Sequence, residues 1–240
     1  MKRLFLVLLC VFIVSAIHAQ PAVNTFFKEA DTFFAENITN KLVDYRGIQK
    51  EPAELNQLVR TIARMSIDKM NPDQEKAFYI NSYNLLTIHS IIENGIPDSP
   101  LDVEGFFDKQ KHTVDGGRVT LDKLEKEMLF PAFPDARVHF VLVCAAKGCP
   151  PIRPYAYVPE NLDEQIHKAT INTLNYDYFI RHKPEQGKVL ISEIFKWYKS
   201  DFLAKAESVV AYINQYRNKK LDDDVEVDFY SYDWSLNIME

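Results

Sequence analysis

The chain predicts a single α+β domain: helices packed on a small central sheet, organised around one buried helix over residues 72–94. Three observations carry this. The stretch PDQEKAFYINSYNLLTIHSIIEN places Ala77, Phe78, Ile80, Tyr83, Leu85, Leu86, Ile88, Ile91 and Ile92 on nearly every helical face, which marks a helix enclosed on all sides. The stretch RVHFVLVCAAKGCPP, Arg137 to Pro151, runs a both-face apolar pattern into a glycine- and proline-ended loop, so it predicts a central strand over Val138–Cys144. Between these lie further amphipathic stretches, short alternating runs and turn signals, with no internal repeat, low-complexity tract or domain linker. With 47% hydrophobic and 26% charged residues over 240 positions, the chain can bury one sizeable core.

Taken in order, Lys2 and Arg3 precede an apolar run, Leu4 to Ala16, and a small-residue site at Ala19, the layout of a secretory signal peptide over residues 1–19. The run is shorter than the roughly 20 residues a membrane span needs, so no membrane span is expected after cleavage. The expected location is exported, periplasmic or extracellular. Removing Lys2 and Arg3 would take the formal net charge from -6 to -8, which, without a basic patch, argues against a nucleic-acid partner. Residues 20–70 form an N-terminal helical part and residues 71–240 the core of the same globular unit. In the first part, Asn24–Glu36 and Glu51–Met65 carry amphipathic stripes, the second with Pro52 in its first turn, separated by a linker, KLVDYRGIQK.

Asn71 is placed to cap the buried helix, Pro72 occupies its first position, Asp73 and Glu75 its first turn, and Gly95 closes it. Asn81, Asn84 and His89 then fall in or near a core. A buried amide needs hydrogen-bond partners: the two asparagines either tie the helix to loop backbone or line a site. Lys111–Val114 and Arg118–Thr120 around Asp115-Gly116-Gly117 read as a hairpin. Thr120 or a neighbour caps a short helix through Met128 containing Glu125. After the 138–144 strand come a helix over Asn161–Tyr176, a strand at Lys188–Ile191, a helix SEIFKWYKSDFL capped by Ser192, a helix over Glu207–Arg217 and a strand at Val225–Phe229.

For chemistry, the residues present a thiol and a histidine. Cys149 sits in a Gly-Cys-Pro-Pro turn, and His139 on the adjoining run would lower its pKa or take its proton; Glu125, Asn81 or Asn84 would orient the histidine. Arg137 would clamp a substrate carboxylate, with Asn84 and Tyr83 as further substrate contacts. A second reading makes Cys144 and Cys149 a thiol-redox pair, since residues five apart can bridge if the loop brings their α-carbons within about 7 Å. A third leaves the domain a non-enzymatic module that binds a small molecule or an envelope protein. Metal ligation is not expected, because Cys144 and Cys149 lack a second cysteine pair and no helix carries H-x-x-x-H. No phosphate-cradling glycine loop and no Gly-x-Ser-x-Gly elbow is present, so no cofactor is expected.

The motifs KAFYINSYNLLTI, LDKLEKEML, DARVHFVLVCAAKGCPPI, ISEIFKWYKSDF and YDWSLN, in this order over Lys76 to Asn237, resemble the DUF547 family (domain of unknown function 547). The resemblance emphasises Asn81, Tyr83, Asn84, Glu125, Arg137, His139, Cys144, Cys149, Pro150, Trp197, Tyr198 and Asp201. It implies membership of a group of bacterial exported proteins and domains in larger eukaryotic ones, mostly uncharacterised in activity. One departure matters: the position after Glu125, commonly histidine in the family, is Lys126 here, so a mechanism using that histidine does not carry over.

Overall fold

The computed structural model describes residues 22–240. The expected signal peptide lies outside the described residues. Among those described, no helix is long and apolar enough to cross a membrane.

Helix α1 spans residues 22–37 and buries Phe26, Phe27, Ala30, Phe33 and Phe34, the stripe its spacing predicts. The expected linker after it is structured instead. A two-residue hairpin, β1 (Ile38–Thr39) with β2 (Leu42–Val43), turns through Asn40 and Lys41 at positive φ. It leads into a short helix, α2 (Tyr45–Lys50), whose first turn is capped by Asp44 accepting from the Gly47 amide at 2.8 Å. Helix α3 (Ala53–Arg64) starts directly after Pro52 and buries Leu55, Leu58 and Ile62.

Helix α4 (Pro72–Glu93) carries a full capping box: the Asn71 side chain accepts from the Gln74 amide, and the Gln74 side chain accepts from the Asn71 amide. Fifteen of its residues are buried, and it packs against α2, α3 and the segment around Glu125. The hairpin follows as the turn sequence predicts, with β3 (His112–Val114) antiparallel to β4 (Gly117–Val119) and Asp115 and Gly116 both at positive φ.

Thr120 caps α5 (Leu121–Lys123) through the Lys123 amide. The chain then widens into a π turn, Leu124–Leu129, and returns to α geometry in α6 (Phe130–Ala132). The π turn rotates Glu125 out of the regular helical sequence of faces, a device that recurs at functional sites.

The stretch from Val138 to Cys144 corrects the expectation of a central strand. Residues Ala136–Phe140 wind into a 3-10 turn, with the Asp135 side chain capping the Arg137 amide, and only Val141–Cys144 runs on as irregular chain. The periodicity was apolar on both faces because both faces are indeed buried: Val138, His139, Phe140, Val141 and Val143 are each at most 4% exposed. The partner is a side chain, not a strand. The Asn84 amide donates to the Val141 carbonyl at 2.9 Å and accepts from the Val143 amide at 2.9 Å, reproducing the two bonds of a ladder neighbour. Phe140 is thereby delivered into a cluster of Phe179, Phe195, Phe202 and Tyr212.

The largest sheet lies in the C-terminal third. Its order is β5 (Ile180–Lys183), β6 (Lys188–Ser192), β7 (Glu226–Tyr230), with β5 antiparallel and β7 parallel to β6. Helix α7 (Leu162–Leu174) packs on the Ala136–Phe140 turn. The expected continuous helix after Ser192 divides at Tyr198 into α8 (Ile194–Trp197) and α9 (Lys199–Leu203), and α10 (Val209–Asn214) follows, capped by Ser208. That break aims Tyr198 and Asp201 at the Glu125 side of the molecule.

Candidate functional site

Between the π turn, the 141–144 run, α8 and the C-terminal tail lies a cleft of about 540 Å³. Its floor is polar: Tyr83, Glu125, His139, Cys144, Tyr198 and Tyr232. Glu125 is 5% exposed. Its carboxylate accepts from the Tyr198 hydroxyl at 2.8 Å. Burial pushes the Glu125 carboxyl above its ordinary value, while the Tyr198 hydrogen bond and the Lys126 charge pull it the other way. Tyr83 and Tyr198 are raised in turn, mainly by burial and then by the Glu125 charge.

His139 occupies the partition between this cleft and a second cavity of about 500 Å³, which it lines together with Asp135, Tyr198 and Asp201. Its Nε2 lies 2.8 Å from Asp201 Oδ2, and its ring stacks on Phe130 at 4.4 Å and meets Tyr198 at 3.8 Å. Burial lowers its pKa to about 4 against the opposing pull of Asp201. The imidazole is therefore neutral at pH 7, with Nε2–H donated to the carboxylate and Nδ1 left as the acceptor nitrogen.

The loop Ala145–Gly148 turns Cys149 back onto Cys144, and the two are joined by a disulfide with α-carbons 6.3 Å apart. Ala145 adopts φ +64°, a left-handed conformation that costs a non-glycine residue about 1–2 kcal/mol. The C-terminal tail holds the loop in this shape. Lys147 and Gly148 amides donate to the Ser235 and Asp233 carbonyls at 2.8 Å, and the Asn237 amide donates to Ala145 at 2.9 Å. A Cβ on Gly148 would lie 2.9 Å from the Asp233 nitrogen and the Tyr232 ring, so only glycine allows this approach.

The two sulfurs face different spaces. Cys144 is partly exposed, lines the cleft and has its Sγ 3.3 Å from the Tyr232 hydroxyl. Cys149 is 7% exposed, lines a separate recess of about 250 Å³ beside Lys41 and Tyr178, and accepts the Cys144 amide at 3.1 Å.

The remaining expected site residues are engaged elsewhere. Asn81 donates to the carbonyls of Ala77 and Tyr157 and accepts from the Tyr157 amide, so its amide closes a loop onto α4. Asn84 holds the 141–143 run. Arg137 binds Asp135 through Nε and Nη2 at 3.0 and 2.9 Å and reaches Asp163 at 2.7 Å, while Lys76 binds the same Asp135 at 2.8 Å. Burial opposes the Asp135 charge, yet the Arg137 and Lys76 hydrogen bonds outweigh it and hold this carboxyl well below the usual range. The Arg137 fork faces these carboxylates, so the expected anion clamp is an internal ion pair. Tyr198 and Tyr232 in the cleft and Asp201 in the second cavity are without roles assigned from sequence; their signal is their place in the KWYKSDF and YDWSLN motifs.

Residues 67–172 match the model of a family described as a protein of unknown function, DUF547. This segment is similar to DUF547. It contains Tyr83, Glu125, His139 and both cysteines, whereas Trp197, Tyr198, Tyr232 and Trp234, which close the cleft from the C-terminal side, and Asp201, which lines the second cavity, lie beyond the matched residues. No curated protein and no solved structure matches the chain. Among the described residues, no group of three or more His, Cys, Asp or Glu side chains is arranged to hold a metal ion.

Proposed function

We propose that the cleft is a site of thiol–disulfide exchange, with Cys144 as the sulfur that meets a client and Cys149 as the resolving sulfur. The observation that supports this reading is the asymmetry of the bonded pair: Cys144 borders the cleft beside Tyr232, while Cys149 is buried and accepts the Cys144 amide. A client thiolate attacks Cys144 Sγ; the S–S bond electrons pass to Cys149, which leaves as a thiolate stabilised by that N–H, and a client–Cys144 mixed disulfide forms. A second client thiol, once deprotonated, attacks the client sulfur and releases Cys144, whose thiolate the Tyr232 hydroxyl is placed to stabilise. The client is oxidised to a disulfide, the protein is reduced to the dithiol, and the two protons lost by the client end on the cysteines. The reverse sequence reduces a client. An oxidising, extracytoplasmic compartment, reached through the expected leader over residues 1–19, suits this chemistry.

The test is trapping. Cys149→Ser should accumulate a mixed disulfide with a small cysteine-containing peptide disulfide through Cys144, and Cys144→Ser should not. Equal trapping by both variants, or trapping only through Cys149, overturns the assignment.

The His139–Asp201 hydrogen bond favours a second reading: in the reduced protein, thiol-dependent acyl transfer or hydrolysis with His139 as base and Cys144, which lines the same cleft, as nucleophile in place of the expected Cys149, which faces a separate recess. Iodoacetamide labelling of the reduced protein decides it. Labelling of Cys144 that slows sharply in His139→Gln supports this second reading; a rate indifferent to His139 removes it.

A further inference from the structure

Beyond the disulfide and the buried carboxyl, the cleft has an outer wall that exchange chemistry does not explain. Trp197 is 45% exposed, unusual for so large a ring, and packs with Tyr232 at 4.9 Å and Trp234 at 5.9 Å; Phe107 extends the same wall. Facing into this space are three carboxylates, Asp108, Asp122 and Glu125, against one lysine, Lys126, which is bound to Asp122 at 2.8 Å. Asp108 has no hydrogen-bond or ion-pair partner among the described residues. An aromatic wall beside uncompensated negative charge disfavours an anion and attracts a cation that carries apolar surface. The formal net charge of -6 adds long-range attraction of the same sign.

We propose that this wall binds the ammonium or guanidinium group of a basic side chain, over the exposed face of Trp197 and near Asp108, and that the client of the exchange site is accordingly a peptide thiol flanked by Lys or Arg. The client clause rests on the exchange reading; the cation site does not. The geometry places both in one cavity: Cys144 and Trp197 line the same cleft, and Tyr232 contacts both, its hydroxyl near Cys144 Sγ and its ring against Trp197. A basic residue held at the wall therefore brings a neighbouring thiol to Cys144, raising its local concentration there.

Two peptide pairs test this separately. Acetyl-Lys-Ser-Lys-amide and acetyl-Glu-Ser-Glu-amide contain no thiol and report binding alone through tryptophan fluorescence of the full chain. The basic peptide should bind and the acidic one should not. Trp197→Ala and Asp108→Asn should each weaken the basic peptide about tenfold, and raised salt should weaken it further. Asp108→Asn keeps the residue's size at an exposed position, so its effect is not one of folding. Equal binding of the two peptides, or affinities untouched by both substitutions, overturns the cation site. The corresponding Lys-Cys-Lys and Glu-Cys-Glu peptides then report exchange, with the basic thiol expected to form its mixed disulfide faster in proportion to its binding. If the serine peptide binds but neither cysteine peptide exchanges, the cation site stands and the exchange reading fails. If both cysteine peptides exchange alike and the serine peptide does not bind, the reverse holds.

Discussion

Two groups of buried polar side chains in this protein are built differently. Asn81 and Asn84, three positions apart on α4, are 0% and 4% exposed, and their amides are used up on backbone: Asn81 on Ala77 and Tyr157, Asn84 on Val141 and Val143. Glu125 and His139 are equally buried at 5% and 4%, yet each is held by one or two side chains and faces a cavity. Burial alone therefore does not distinguish architecture from chemistry. Saturation by backbone marks the first; side-chain partners, open space beside the group and a displaced pKa mark the second.

Substitutions sharpen that comparison. The largest effect is expected on the saturated side. Asn84→Leu leaves the Val141 carbonyl and Val143 amide buried without partners, at about 1–3 kcal/mol each, so urea denaturation should find the variant destabilised by about 4 kcal/mol. A loss below about 1 kcal/mol would mean that the 141–144 run does not depend on the amide.

On the cavity side the signature is pH. The folded-state pKa of His139 is lowered from 6.5 to about 4, so the unfolded chain binds the proton first. Stability should be full above pH 6.5 and fall as pH drops toward 4, by up to about 3 kcal/mol for this residue. His112, lowered to about 4 by burial, adds a loss of the same sign. In His139→Gln the acid-side slope should flatten while the His112 share remains; an unchanged slope would place the His139 pKa near its ordinary value.

A smaller change is expected from removing the disulfide. Closing so short a loop contributes about 2 kcal/mol in the chain-entropy picture, so the Cys144→Ser/Cys149→Ser double variant should stay folded with a modestly lower urea midpoint. The smallest effect belongs to Trp197→Ala. With Trp197 45% exposed, its stability cost should lie within about 0.5 kcal/mol even as the basic peptide binds about tenfold more weakly, and a large drop in midpoint would reassign the ring to the core.

Some of this architecture is legible residue by residue. The capping signals Asn71, Pro72 and Gln74 and the all-round apolar pattern of α4 are local, and local chemistry is sufficient to place that helix and to bury it. The Asp115-Gly116 turn is legible for the same reason, since positive φ at two successive positions admits few residues. The KLVDYRGIQK stretch was harder because its helix α2 depends on one aspartate cap and six residues. The site was legible as an inventory: Glu125, His139, Cys144 and Cys149 stand out by type. Their pairing was not, because His139 meets Asp201 across 62 positions and Cys144 meets Tyr232 across 88.

By itself, then, the sequence determined which segments must be buried, where the main helix starts and stops, and which polar and titratable side chains enter the core, because propensity, capping and hydrophobic period act over a few residues. Only the tertiary structure decided that residues 138–144 form a turn and an extended run and not a strand. Alternating apolar residues specify two buried faces but not the hydrogen-bond partner, and here that partner is the Asn84 side chain. It likewise decided that the loop after Cys144 returns Cys149 to Cys144, because the C-terminal tail, more than 80 residues further on, supplies the backbone bonds that hold the loop closed.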